Sequence, residues 1–141
     1  MTDPFNLDRF VKAQALVYAD VVSELTQGRK RSHWMWFIFP QIAGLGFSDM
    51  ARRFAISSRD EAAAYLAHDV LGSRLIECVE LVLAVDGKTI NEILGSPDDL
   101  KFCSSMTLFK RVSDNPLFER ALRKFYGGEE DARTVDVLGR V

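Results

Sequence analysis

Cysteine is scarce in this chain. Only Cys78 and Cys103 occur, far apart and with no CxxC pair or nearby histidine, so the spacing of a zinc site is missing. Both lie in apolar periodic segments, where free buried thiols are expected, and such usage suits a reducing cytoplasm. An excess of one charge is also lacking. With 18 basic and 20 acidic side chains, net −2, the chain has no general attraction for nucleic acid or for an anionic membrane, and neither partner is expected. The longest apolar run, Trp34 to Phe39, is far too short to span a bilayer. Met1-Thr2-Asp3-Pro4 is acidic and helix-breaking, unlike a secretory leader. No linker rich in Gly, Ser or Pro divides the chain, and no repeat is visible. Nothing calls for a metal or cofactor.

What is present is a globular composition. The 141 residues are 48% hydrophobic, enough for a core that buries about two-thirds of the unfolded surface. Apolar positions from Asp8 to Gln27 (Phe10, Ala13, Val17, Val21, Leu25) recur at helical spacing, with Asn6 or Asp8 as the cap and Gly28 as the stop. Trp34 to Phe39 reads as a short extended or irregular buried segment ended by Pro40, followed by a glycine-containing loop to Phe47. Ser48 caps a helix over Asp49 to Ala55, and Ser58 with Glu61 caps Arg59 to Ala67. A longer helix follows from Asp69 to about Val85. Thr89 and Glu92 form a capping box for one turn ending at Gly95. Ser96-Pro97-Asp98-Asp99 opens a helix to about Val112, with Leu100, Cys103, Thr107, Leu108 and Val112 inward. Asn115-Pro116 starts another that Gly127-Gly128 ends, and residues 129–141 pack back as a last turn. The expected fold is mainly α: a single compact domain over residues 1–141, with six to eight helices and little or no sheet.

Several motifs imitate known chemistry. Gly87-Lys88-Thr89 ends like a phosphate loop, but the pattern needs a glycine where Val82 stands, and the preceding segment is helical. Gly44-Leu45-Gly46 lacks the third glycine and the βαβ setting of a dinucleotide fingerprint. His68, at a helix end beside Asp69, reads as a surface or capping residue.

Residues 32–48 are different. Trp34, Trp36, Phe37, Phe39 and Phe47 crowd there. Such a cluster is ordinary core material, yet polar groups flank it: Arg29, Lys30, Arg31 and His33 before, Gln41 after. A cation beside a flat aromatic wall is one way pockets hold planar or anionic ligands. Gly44 and Gly46 lead into the helix capped by Ser48, whose backbone amides are a candidate phosphate site, with Arg52 and Arg53 one turn on. A second polar group is Lys101, Ser104, Ser105 and Thr107, in mid-helix. Hydroxyls bonded back to the preceding turn explain it structurally; a polar pocket rim explains it functionally. The candidate ligand-binding set is therefore Lys30, His33, Trp34, Trp36, Gln41, Gly44, Gly46, Ser48, Lys101, Ser104, Ser105 and Thr107.

The run Lys30-Arg31-Ser32-His33-Trp34-Met35-Trp36-Phe37-Ile38-Phe39-Pro40-Gln41, then Gly44-Leu45-Gly46 and Ser48, resembles the signature of a bacterial family of unknown function, sometimes labelled calpastatin-like. Glu61-Ala62, Ala64-Tyr65-Leu66, Leu71-Gly72, Arg74-Leu75, Asp98-Asp99 with Lys101, and Ser104 to Phe109 extend the resemblance along nearly the whole chain. The calpastatin label implies a proline-rich, disordered protease inhibitor; 4 prolines and repeated amphipathic helices do not fit it. Thr107-Leu108-Phe109-Lys110, a Leu/Phe-rich helix and an acidic glycine-containing tail are loosely similar to NADAR-type domains. That likeness implies ADP-ribose and N-glycosidic chemistry but carries over no catalytic motif. Two functions are expected from these readings. One is a soluble domain that binds or hydrolyses a nucleotide-like or ADP-ribose-like small molecule, with Asp98 or Asp99 as the carboxylate in any cleavage. The other is a non-catalytic protein-interaction module. Neither enzyme status nor oligomeric state is legible.

Overall fold

The computed structural model describes residues 2–140; Met1 of the lead-in and Val141 of the expected last turn lie outside the described residues. The helices are α1 (Asp8–Ala15), α2 (Tyr18–Thr26), α3 (Met35–Ile38), α4 (Asp49–Arg53), α5 (Arg59–Ala67), α6 (Asp69–Leu83), α7 (Ile90–Leu94), α8 (Asp98–Val112), α9 (Leu117–Tyr126) and α10 (Ala132–Leu138). There are thus ten among the described residues, several only a turn long. Extended segments meet there only in an isolated parallel bridge, Ile42 to Ile56. The mainly helical, sheet-free fold matches the sequence pattern.

Local signals place most of the boundaries. Ser48 Oγ accepts from the Ala51 amide and Ser58 Oγ from the Glu61 amide. Thr89 and Glu92 close their capping box in both directions. His68 caps α6, its Nδ1 accepting from the amides of Val70 and Leu71. Gly127 ends α9 in the left-handed region, where a side chain would be strained.

Other expectations need correction. Asp8 to Gln27 is two helices, broken at Leu16 and Val17, with Leu16 86% exposed. The apolar stripe keeps its phase across the break, so periodicity does not reveal it. The break lets α1 pack on α3 while α2 packs on α6. The cap position of α1 is neither Asn6 nor Asp8 but Leu7, and the acceptor there is the Asp3 carboxylate, which takes the Leu7 and Asp8 amides. Residues 35–38 are a helical turn rather than an extended segment. Met35, Phe37 and Ile38 are buried there, and a buried strand without partners would orphan its backbone groups, whereas a helical turn bonds to itself. The Phe37 carbonyl is met by Gln14 Nε2 at 2.6 Å. Pro97 holds the cap position of α8 and makes no side-chain cap bond.

The core runs from Phe10 through Trp34, Phe39, Tyr65 and Val79 to Phe102, Phe109 and Phe118, all essentially sealed from solvent. α8 lies in its middle, touching α5, α7, α9 and α10. It is buried on nearly every side from Phe102 to Phe109, except at Cys103. Leu100, expected inward, is 64% exposed and lines a cleft instead of the core.

Gly72 shows how closely α5 and α6 approach. A Cβ there would lie 2.1 Å from the Leu66 carbonyl oxygen, a backbone atom that no rotamer change can move. Gly72→Ala is expected to destabilise by about 1–3 kcal/mol through forced separation of the two helices, read as a lowered urea midpoint with unchanged slope.

Candidate functional site

The basic stretch before the tryptophans is folded around a carboxylate. Glu24, on α2 and 8% exposed, takes the Arg31 amide at 2.6 Å, the Ser32 amide at 2.9 Å, Ser32 Oγ at 2.6 Å and the Trp34 indole N–H at 3.1 Å. Burial pushes its pKa up, but these four bonds outweigh burial and hold it below the ordinary glutamate value. Trp34 is therefore a sealed core ring, with its one polar atom spent on Glu24. Lys30 is tied down as well. Its Nζ lies 2.9 Å from Asp98 Oδ2, 2.6 Å from the Ser32 carbonyl and 5.0 Å from the centre of the Trp34 ring. That ammonium pins the loop after α2 to the start of α8.

A cleft opens on the other side of Asp98. Its volume is about 450 Å³, and it lies between the loop before α4, the first turns of α8 and the start of α10. Gln41, Leu45, Gly46, Phe47 and Ser48 form one wall, Pro97, Leu100, Lys101 and Ser104 the opposite one, and Asp131 and Arg133 close it. The glycines shape the loop. Gly44 sits at φ +98°, and a Cβ on Gly46 would meet that of Ala51 at 2.8 Å, so only glycine lets the loop lie against α4.

Two cations serve the cleft. Lys101 Nζ lies 3.9 Å from Asp98 Oδ1 and 5.6 Å from the centre of the Trp36 ring. Asp98 is already engaged by Lys30 at the shorter distance, which leaves the Lys101 pairing loose. Arg133 donates to the Leu45 carbonyl at 3.1 Å and makes no ion pair among the described residues. Asp131 supplies the opposite charge, with its Oδ2 accepting from Ser104 Oγ at 3.0 Å. At the mouth stand Phe47 and Leu100, 72% and 64% exposed. Both also line the cleft, so it carries apolar surface open to solvent beside its charges.

Of the sequence candidates, Gln41, Gly46, Ser48, Lys101 and Ser104 line this cleft. Trp36 and Gly44 line a small hollow next to it, which shares Gln41, Gly46 and Ala51 with it. The others lie elsewhere. Trp34 is sealed, Lys30 is consumed behind the wall, and His33 is exposed away from the cleft lining. Thr107 is buried, its Oγ donating to the Cys103 carbonyl at 2.8 Å and accepting from the Asp131 amide at 2.9 Å. Ser105 is fully buried, and its hydroxyl finds no partner among the described residues. Asp98 and Asp99 are absent from the lining: Asp98 pairs with lysines, and Asp99 binds the Leu100 amide and Asn91. Arg52 and Arg53 are exposed on α4 outside the cleft. The expected amide site at the start of α4 is partly used, since Ser48 takes the Ala51 N–H, and the helix has only five residues, too few for a strong dipole.

Asp131 and Arg133 were not singled out by sequence, while Phe47 was counted only in the aromatic cluster and Leu100 only as an inward residue. The acidic tail hid the first two, and the inward phase assigned to α8 hid Leu100. An N-cap aspartate ahead of Thr134 was the one signal that could have drawn attention to Asp131.

Fold and cleft together define a small all-α protein with a charged hollow beside its most aromatic segment. The chain belongs to the family described as protein of unknown function, DUF1810, whose model matches residues 4–138. It is similar to the conserved hypothetical protein Rv1873 from Mycobacterium tuberculosis, known as a crystal structure, with 62% identity, a TM-score of 0.96, and 97% of this chain and 99% of that one covered. No curated protein matches the chain. No helix among the described residues is long and apolar enough to cross a membrane.

Proposed function

We propose that the cleft binds a small phosphate-bearing molecule with a planar part, nucleotide-like or ADP-ribose-like. One observation carries this reading: Lys101 and Arg133, neither of them firmly ion-paired, share a single hollow with the exposed Phe47 and Leu100. The cations suit phosphate oxygens, and the apolar pair at the mouth suits the face of a base. The loose likeness to NADAR-type domains points to the same ligand class. If the bound molecule is cleaved at an N-glycosidic bond, Asp131 rather than Asp98 or Asp99 is the carboxylate in reach.

The test is a thermal-shift panel of AMP, ADP, ADP-ribose and adenosine against the native protein, Lys101→Met and Arg133→Met. At a concentration 100 times Kd, the right ligand stabilises by about 2.7 kcal/mol, visible as several degrees in Tm. The phosphate-bearing members should shift the native protein and lose most of that shift in both variants. No shift by any member would remove the reading. Chromatography of the same mixtures after long incubation reports cleavage.

The exposed pair also favours a second reading, a protein-interaction face. It predicts concentration-dependent sedimentation that Phe47→Ser abolishes, with no ligand-induced shift.

A further inference from the structure

Asp131 is held more firmly than a helix cap requires. As the cap of α10 it needs only to accept from the Thr134 amide, which it does at 3.0 Å. The same oxygen, Oδ2, also takes Thr134 Oγ at 2.6 Å and Ser104 Oγ at 3.0 Å. The Asp131 amide is fixed in turn by Thr107 Oγ at 2.9 Å, and that hydroxyl is anchored on the Cys103 carbonyl at 2.8 Å. Ser104, Thr107 and Thr134 are all buried. Two interior hydroxyls, of Ser104 and Thr134, thus hold one carboxylate that lines the cleft, and a third, of Thr107, fixes its backbone.

Its other oxygen, Oδ1, accepts no hydrogen bond from any described residue, and neither Lys101 nor Arg133 is ion-paired with Asp131. An ionised carboxylate oxygen is an acceptor only. It repels phosphate and attracts a hydroxyl, so the cleft offers two unlike subsites: cations for an anion, and a fixed acceptor for O–H donors. A molecule that satisfies both carries phosphate and free hydroxyls on one small frame.

We propose that Asp131 is the specificity-determining residue of the cleft and that its free oxygen accepts from sugar hydroxyls, so the ligand class is a phosphorylated sugar. The proposal rests on the reading that the cleft holds phosphate, and its test separates the two. Titration calorimetry is run with inorganic phosphate, ribose 5-phosphate and 2-deoxyribose 5-phosphate on the native protein, Asp131→Asn and Ser104→Ala. Native protein should bind ribose 5-phosphate roughly 10- to 100-fold tighter than phosphate, the range one charge-assisted hydrogen bond supports, and tighter than the deoxy sugar.

The Asp131→Asn variant keeps a side chain able to cap α10 but presents an amide N–H where the acceptor stood. It should lose the sugar preference while keeping phosphate binding. Ser104→Ala leaves the carboxylate in place with one tether fewer and should lose part of the preference. Should Asp131→Asn fail to fold, the native protein's discrimination between the two sugars and the Ser104→Ala titration decide the matter. Equal affinity for phosphate and both sugars, or a preference that survives Asp131→Asn, overturns the proposal and leaves the phosphate reading standing. Binding of none of the three also overturns the proposal, and the phosphate reading is then decided by the nucleotide panel alone.

Discussion

Arg9→Ala is expected to lower stability by about 3–5 kcal/mol, the usual cost of stranding one member of a buried ion pair. Arg9 spends all five of its N–H donors. Nε meets the Arg53 carbonyl at 2.8 Å, Nη1 the carbonyls of Phe5 at 2.5 Å and Asn6 at 2.9 Å, and Nη2 the Ala55 carbonyl and Glu61 Oε2, both at 2.9 Å. The guanidinium also covers the Phe10 ring. One side chain thereby joins α1, the end of α4 and the start of α5. The Glu61 side chain is only 3% exposed, and without Arg9 its charge would stay buried beside Ser57, which already donates twice to the other oxygen. Arg9→Lys should cost nearly as much, since an ammonium has three donors at one point and cannot reach five acceptors. The check is urea denaturation. A loss below about 1 kcal/mol for either variant would show that the network is dispensable.

Glu24→Ala is expected to cost a similar amount, about 3–5 kcal/mol, because it orphans four donors at once, including the indole N–H of the sealed Trp34, at roughly 1–3 kcal/mol for each that water cannot reach. Glu24→Gln isolates the charge. The amide oxygen still accepts, Ser32 Oγ can turn to accept from the new NH2, and the loss should fall to about 1–2 kcal/mol.

The native protein should also show a defined pH response. The Glu24 pKa is lowered in the folded state, so its contribution is complete above the unfolded glutamate value of about 4.3. It is lost as pH falls through the lower folded value. The stability gap between native protein and Glu24→Gln should therefore be constant near neutrality and close on acidification below that value. A gap that widens on acidification would contradict the clamp.

Much of the fold was legible because its signals are local. Thr89 and Glu92, Ser58 and Glu61, and His68 with Leu71 interact over three positions, and the chemistry of that spacing does not depend on the rest of the chain. The break at Leu16 was not legible, since a continuous stripe of Phe10, Val21 and Leu25 is compatible with one helix or two. Nor was the turn at Met35 to Ile38, where a short apolar run suits strand or helix equally and only the lack of a partner strand decides.

The candidate site divides the same way. Gln41, Gly46, Ser48, Lys101 and Ser104 were visible as polar groups or glycines out of place in an apolar setting. Lys30, His33 and Trp34 looked like their companions because they are adjacent in sequence. The Glu24 carboxylate, reached by folding back over α2, turned that stretch into a brace instead.

Composition, periodicity and caps were enough to dictate a helical chain with a large aromatic core and to mark residues 32–48 and 101–107 as its unusual parts. Which of those side chains share a cavity was decided only by tertiary packing. Arg9 meets Glu61 across 52 positions and Ser104 meets Asp131 across 27. Contacts at such separations depend on how helices cross, and helical spacing within one segment carries no record of the crossing.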